Sequence, residues 1–337
     1  NAAGDFDVTR GSLATRVNES GLIEPVGTLG ADVVLNGDFE EVGADQILNG
    51  DFSQEGVEEI TNGDFATDSG WNKGTGWSIS GGKATTDGTV NEGILQVNVT
   101  TIGKSYKYSF TVSDKGVGVI DGRFRTNSGS IVEFAAEGTY EGYFTAIGDD
   151  PKILTLSGNT ASFSVDNVSV VEVGQSWTLN GEAFIGDDIV SFVDNGTNPL
   201  TGVIQNNAVV ANKYYKVSFD VSRYVLGAVQ IIVGSANALA DNLSQGVGTY
   251  TFYIESGSGS NLEIKRFGTV PNFDFDITNI TVEEVGQNWT LGTGWSIGDD
   301  KVVADSVGST NGAVQLLAVT SGKSYKVTFE VSDYQSG

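Results

Sequence analysis

The stretch LNGDFEEVGADQILNGDFSQEGVEEITNGDF, residues 35 to 65, writes Asn-Gly-Asp-Phe three times, starting at Asn36, Asn49 and Asn62, with a constant spacing of 13. Asn-Gly is a turn signal with a mechanism, since both residues tolerate left-handed backbone. The third phrase opens a long repeated unit. The first two do not, and thirteen residues leave room for a strand, a turn and little more. They read as strand starts whose domains are missing, a short stacked connector made by duplication of the first strand of the unit.

Outward from residue 65 the chain compares with itself. GKSYKYSFTVSD (103–114) returns as NKYYKVSFDVSR (212–223) and GKSYKVTFEVSD (322–333), at spacings of 109 and 110. VSVVEVGQSWTL (168–179) returns as ITVEEVGQNWTL (280–291), 112 residues on. The expected organisation is a segment 1–34, a connector 35–61, full modules at 62–174 and 175–286, and the front part of a third at 287–337. Half a sandwich leaves one sheet face uncovered, so the reading expects polypeptide beyond Gly337.

The strand alternates in every copy: Tyr106, Tyr108, Phe110 and Val112 share one face, as do Tyr215, Val217, Phe219 and Val221, and Tyr325, Val327, Phe329 and Val331. GTYEGYF (138–144) recurs as GTYTFYI (248–254). In SFSVDNVSVVEV the apolar phase jumps from Val165 to Val168, an odd step that predicts a bulge at Asp166-Asn167. With 46 Gly in 337 residues between runs of Val, Thr, Ser and aromatics, the class is all-β.

Forty-three acidic against 18 basic residues leave a net charge of −25, which opposes nucleic acid and anionic membranes as partners. Cys and His are both absent, removing thiolate chemistry and the histidine-based triads. The pairs Asp149-Asp150, Asp187-Asp188 and Asp299-Asp300 look like turn chemistry rather than the facing carboxylates of a glycosidase. No enzyme is expected. The five tryptophans admit a sugar-stacking reading, but Trp77 and Trp295 share one module position and Trp71, Trp177 and Trp289 another. Recurrence at every copy is more simply explained by core packing.

The NGDF opening, the Gly-Trp pairs at 70–71 and 76–77, the Gly-Thr-Tyr strand and the closing Val-Asp-Asn-Val-Ser-Val together resemble the jelly-roll carbohydrate-binding modules of the family 4/9/22 type. The likeness covers 62–174 well, 175–286 loosely and 287–337 as a front half. It implies tandem jelly-roll β-sandwiches of about 110 residues. The run DFDVTRGSLATRVNESGLIEPVG in the first 30 residues resembles a segment near the start of phage tail-fibre and other virion proteins. Physically it reads as a hairpin, Ala14 to Val17 against Leu22 to Val26, too small to be stable alone.

Together these resemblances imply a structural component of a phage virion, a fibre or tail or head appendage on the particle surface. It would attach to other virion proteins through its N-terminal segment, form a homo-oligomer (a trimer by analogy) and contact host surface glycans. The alternative is a glycan-binding module array of a secreted bacterial enzyme or adhesin. The family resemblance implies a structural calcium between the NGDF segment and the closing strand, held by Asp64, Asp166 and nearby carbonyls; the other reading is that Asp64 caps a turn. The second module starts without NGDF and has Thr278 in place of the acid, so no site is expected there. Arg123, Phe124 and Arg125 have no counterpart in module 2 and form the candidate glycan-binding strand; the other reading is a solvated edge strand with one buried Phe.

Overall fold

The computed structural model describes residues 14–17, 20–26, 30–126, 129–148, 151–155, 161–194, 201–235, 237–241, 243, 245–267, 273–308, 310–316 and 318–334. These are strands and turns throughout, with no helix among them. No described helix is therefore long and apolar enough to cross a membrane.

Two β-sandwiches follow one plan. In module 1 a five-stranded sheet runs in the spatial order Gly129–Phe134, Gly122–Thr126, Lys152–Thr155, Gly93–Leu95, Asn72–Lys73. Its partner sheet runs Gly138–Thr145, Ser105–Ser113, Phe163–Val173, Lys83–Thr86, Trp77–Ser80. Module 2 repeats the pair, with Thr178–Asn180, Gly202–Gln205, Leu262–Arg266, Val229–Val233 and Asn237–Asp241 in one sheet and Ala183–Gly186, Ile189–Asp194, Phe273–Val285, Tyr214–Leu226 and Gly248–Glu255 in the other. All pairings are antiparallel.

Each core lies between its two sheets, filled by the alternating residues of the repeated strand: Tyr106, Tyr108, Phe110 and Val112 in one module, Tyr215, Val217, Phe219 and Val221 in the other. Burying one such aromatic or branched side chain is worth about 1.5–3 kcal/mol. The closing strands, Phe163–Val173 and Phe273–Val285, sit centrally and carry a bulge. Register against the repeated strand shifts between Asp166 and Ser169, and Asn167 and its counterpart Asn279 adopt left-handed φ of 52° and 53°.

Two-residue hairpins with both residues left-handed connect equivalent strands in all three copies: Gly81-Gly82, Asp187-Asp188 and Asp299-Asp300. This is the geometry of the type I′ turn. It makes the two described Asp pairs turn residues; Asp149-Asp150 lies outside the described residues.

Segment 35–61 departs from its expected role as a connector. Glu55–Glu58 pairs with the closing strand of module 1, and Val42–Asp45 pairs with that of module 2. The physical reason is that the hairpin strand pairs only with the first half of each closing strand, Phe163 to Val165 and Phe273 to Ile277, and leaves the edge beyond the bulge for the arm. Nearer the N-terminus, Ala14–Val17 and Ile23–Val26 form an antiparallel two-stranded sheet.

The third copy differs as well. It forms two short pairs, Thr290–Leu291 with Ala313–Val314 and Trp295–Gly298 with Lys301–Ala304. Phe39, Val285 and Ile297 make its small core, with Trp289, Leu291, Val302 and the module 2 residues Tyr214 and Tyr253 against it. The expected strand from Tyr325 to Val331 is not formed, and Val327 and Phe329 are 79% and 80% exposed. In modules 1 and 2 this strand lies between the closing strand and the Gly-Thr-Tyr strand, and residues 287–337 supply neither neighbour. One local feature survives: the Tyr325 hydroxyl accepts a 2.8 Å hydrogen bond from Thr320 N–H, as Tyr106 and Tyr215 do from Thr101 and Val210.

Limited trypsin digestion should therefore cut after Lys323 and Lys326 before any site inside the two sandwiches. Mass spectrometry of the early fragments checks the order.

Candidate functional site

The three NGDF phrases adopt one conformation. Asn36, Asn49 and Asn62 are left-handed, as are Phe39, Phe52 and Phe65, and each Phe N–H donates to the Asn carbonyl three residues earlier. The side chains complete the turn. The Asn Oδ1 accepts from the N–H five residues on, at Glu41, Gln54 and Thr67, and the Asp Oδ1 accepts from Glu40, Ser53 and Ala66.

Each turn is held by a different module, in reverse order along the chain. Phe65 packs on Trp71 of module 1 at 5.1 Å between ring centroids, Phe52 on Trp177 of module 2 at 5.4 Å, and Phe39 on Trp289 of the third copy at 5.2 Å. The indole N–H groups of these tryptophans donate to the carbonyls of Asn62, Asn49 and Asn36 at 2.9, 2.9 and 3.0 Å. A glutamine amide then brackets the backbone of the preceding residue, taking its N–H on Oε1 and donating Nε2–H to its carbonyl: Gln96 on Thr61, Gln205 on Leu48 and Gln315 on Leu35.

At two sites the closing strand completes the seat. Val168 N–H donates to Gly63 O and Ile280 N–H to Gly50 O, both at 2.9 Å. A Cβ on Gly63 or Gly50 would overlap the carbonyl oxygen of Val168 or Ile280, so only glycine allows the approach. At Gly37 a Cβ would meet only the Val34 side chain, at 3.1 Å for the nearest atom, because no described closing strand stands there.

Acidic residues one turn upstream tie the arm to the bulges. Glu58 Oε1 accepts from Val170 N–H and Ile60 N–H, both at 2.9 Å, while Asp45 Oδ1 accepts from Val282 N–H at 2.9 Å and Ile47 N–H at 3.0 Å. Ile60 and Phe65 belong to the module 1 core, and Ile47 and Phe52 to that of module 2. Module 2 thus has its own NGDF segment, donated from residues 49–52, contrary to the expectation that it lacks one.

The arm's charge has an energetic consequence. Burial, then the neighbouring Glu172 and Glu58, push the Glu59 carboxyl above the ordinary glutamate range. Hydrogen bonding to Glu55 raises Lys107 and tethers the same strand.

The proposed calcium ligands lie beside this seat. Asp64 Oδ1 is engaged in its own turn, and Asp166 Oδ1 accepts from Asn167 N–H at 2.6 Å. In module 2 Thr278 replaces Asp166, and its hydroxyl lies 2.8 Å from the Asp188 carbonyl and 3.4 Å from that of Asp51. The corresponding carbonyls in module 1 belong to Gly82 and Asp64, and a Cβ on Gly82 would stand 3.7 Å from Asp64 O. Two carbonyls and a carboxylate form an all-oxygen donor set that suits a hard cation. A hydroxyl, able to donate a proton between two carbonyls, makes a cation unnecessary in module 2. Among the described residues no group of three or more acidic side chains is placed to hold a metal ion, so any ion here would depend on the carbonyls.

The strand Gly122–Thr126 divides the candidate glycan triad. Phe124 is 1% exposed and packs on Tyr108 at 5.0 Å and Phe110 at 5.5 Å, so it is core and offers no face to a sugar. Strand alternation puts Arg123 and Arg125 on the opposite, outer side. Arg123 pairs with Glu133 on the adjoining strand while its Nε remains buried without a partner, and Arg125 Nε donates to Thr126 O at 2.9 Å. The equivalent outward positions in module 2 are Gln230 and Ile232, either side of fully buried Ile231. Trp71, Trp77 and Trp177 are buried, and Trp289 and Trp295 half-buried, so none forms an open stacking platform.

No family model matches the chain. No curated protein matches it either. Among solved structures it is similar to the N-terminal CBM22-1-CBM22-2 tandem domain from Paenibacillus barcinonensis Xyn10C, at 10% identity over 68% of this chain and 98% of that one, with a TM-score of 0.28. A CBM4 structure aligns at 17% identity over 37% of this chain and 99% of that chain, TM-score 0.24. The tandem CBM51 modules of Sp3GH98, the family 98 glycoside hydrolase from Streptococcus pneumoniae SP3-BS71, align at 6% identity over 72% and 96%, TM-score 0.23. The tandem-sandwich architecture itself rests on the strand pairing described above.

Gly50→Val should destabilise module 2 by about 1–3 kcal/mol through overpacking against the Ile280 carbonyl, and Gln205→Ala by a similar amount through the unpaired Leu48 backbone groups. Gly37→Ala should cost less than either. Urea unfolding of the full chain, followed by hydrogen exchange in the closing strands, checks the ranking. Because the folded-state pKa of Glu59 is raised, stability falls as pH rises through that value. Glu59→Gln should therefore raise the melting temperature at neutral pH and flatten its decline between acid and neutral conditions.

Proposed function

We propose that the chain is a non-catalytic array of β-sandwich modules that binds glycan through module 1. The observation that carries this reading is the outward pair Arg123 and Arg125 on one face of the five-stranded sheet, in a chain of net charge −25, where module 2 has Gln230 and Ile232. Guanidinium groups bind carboxylate and sulfate bidentately, so the ligand class is an acidic glycan. The absence of exposed tryptophan platforms among the described residues also favours polar recognition over ring stacking. On a glycan array the full chain should bind acidic oligosaccharides, with Arg123→Gln plus Arg125→Gln weakening binding at least about tenfold, the worth of one charge-assisted contact. Gln230→Ala should leave it unchanged. Failure of the wild-type chain to bind any acidic glycan would sink the reading.

A calcium ion in module 1 belongs to the same proposal. Asp166 with the carbonyls of Asp64 and Gly82 would hold it, and its role there would be to pin the NGDF turn to the closing strand. Chelation should lower the module 1 melting transition of the full chain and spare that of module 2, and Asp166→Thr should abolish the response. Equal shifts in both transitions would count against it.

A second reading, a structural component of a phage particle displayed at its surface and attached through residues 1–34, is favoured by one feature. The small sheet at 14–26 leaves Val17, Leu22 and Ile23 at 65%, 66% and 74% exposure, as an attachment element awaiting a partner would. Removing residues 1–34 should then abolish incorporation into particles while glycan binding persists.

A further inference from the structure

We propose that the arm of one copy of this chain seats in the acceptor site of a second copy, so that residues 35–52 are exchanged between molecules. In the single chain the arm reaches modules 2 and 3 only through interactions remote in sequence: Asn49 to Gln175 across 126 residues, Leu48 to Gln205 across 157, and Leu35 to Gln315 across 280. Nothing covalent selects the arm's own module. The link from the arm to module 2 runs through the whole of module 1, and the sequence has no Cys to lock it.

The acceptor sites also fail to distinguish one arm from another. At all three sites the indole N–H and the glutamine amide address main-chain atoms of an Asn-Gly-Asp-Phe turn or of the residue just before it, at two a closing-strand N–H does so as well, and the three arm segments share that turn. Ser53 and Gln54, both exposed, join residues 35–52 to the strand Glu55–Glu58, which stays on module 1. A change of backbone direction there releases the upstream arm while the third phrase remains seated beside Trp71. This is domain swapping in its simplest form: the hydrogen bonds and ring packing that the arm gives up in its own molecule are remade in the other. The balance is set by concentration, since a tethered segment competes at an effective concentration on the order of millimolar. Exchange is therefore a property of crowded copies, and its product is a pair of chains joined at module 2 and the third copy.

The cysteine-free chain permits a direct test. One population carries a donor dye on Glu40→Cys in the arm, the other an acceptor dye on Val210→Cys in module 2; both positions are exposed. The two are incubated together at about 1 mM, in urea below the module transitions so that arms open, then returned to buffer and diluted. Energy transfer between copies is expected. A peptide of residues 35–60 present in excess during incubation should reduce it about tenfold by mass action. No transfer after incubation overturns the proposal, as does transfer that the peptide leaves unchanged, which would report non-specific association.

Discussion

The close approach of a glycine to a strand carbonyl is the contact on which this architecture depends. At Gly63 and Gly50 the arm passes so near the closing strands that any side chain would strike Val168 or Ile280. That approach fixes the register of the arm, because the neighbouring Phe must then meet its tryptophan and the upstream acid must meet the bulge. Once the register is fixed, Ile60 and Phe65 enter one core and Ile47 and Phe52 the other. A one-residue slip would turn these side chains outward together.

The arm advances 13 residues for every module of roughly 110, in the opposite direction to the modules themselves. A fully extended segment of that length would reach about 40 Å, and the turn in each repeat shortens it. The arm is thus a strip laid along the module boundaries, and those boundaries are sealed a second time by direct packing. Gly186 of module 2 lies against Tyr143 of module 1, and Gly298 of the third copy against Tyr253 of module 2. Long-range closure of this kind costs chain entropy and slows folding, since the arm's partners are synthesised long after it.

The same alternation that builds the cores separates structural from exposed chemistry. Phe124 and the recurring tryptophans serve the interior, while the residues that differ between modules, Arg123 and Arg125 against Gln230 and Ile232, stand on the outer sheet face. Asp166 and Thr278 are a second such difference, placed where arm and closing strand meet. Repetition marks what holds the modules together. Variation at equivalent positions marks where one module can act differently from the next.

The sequence alone determined the all-β class, the module period, the alternating core strands, the bulge at Asp166-Asn167 and the turn role of the Asp187-Asp188 and Asp299-Asp300 pairs. All of these follow from local backbone preference and period-two patterning, which neighbouring residues carry themselves. It also held an unread signal: Gln96, Gln205 and Gln315 recur at spacings of 109 and 110. What only the tertiary structure decided was pairing across long distances. Residues 35–61 read as a connector because nothing local indicates that a strand's partner lies up to 280 residues away. The burial of Phe124, likewise, depended on which side of its strand faced a second sheet. Tyr325 to Val331 shows the converse, since a well-patterned segment forms no strand where no described strand flanks it.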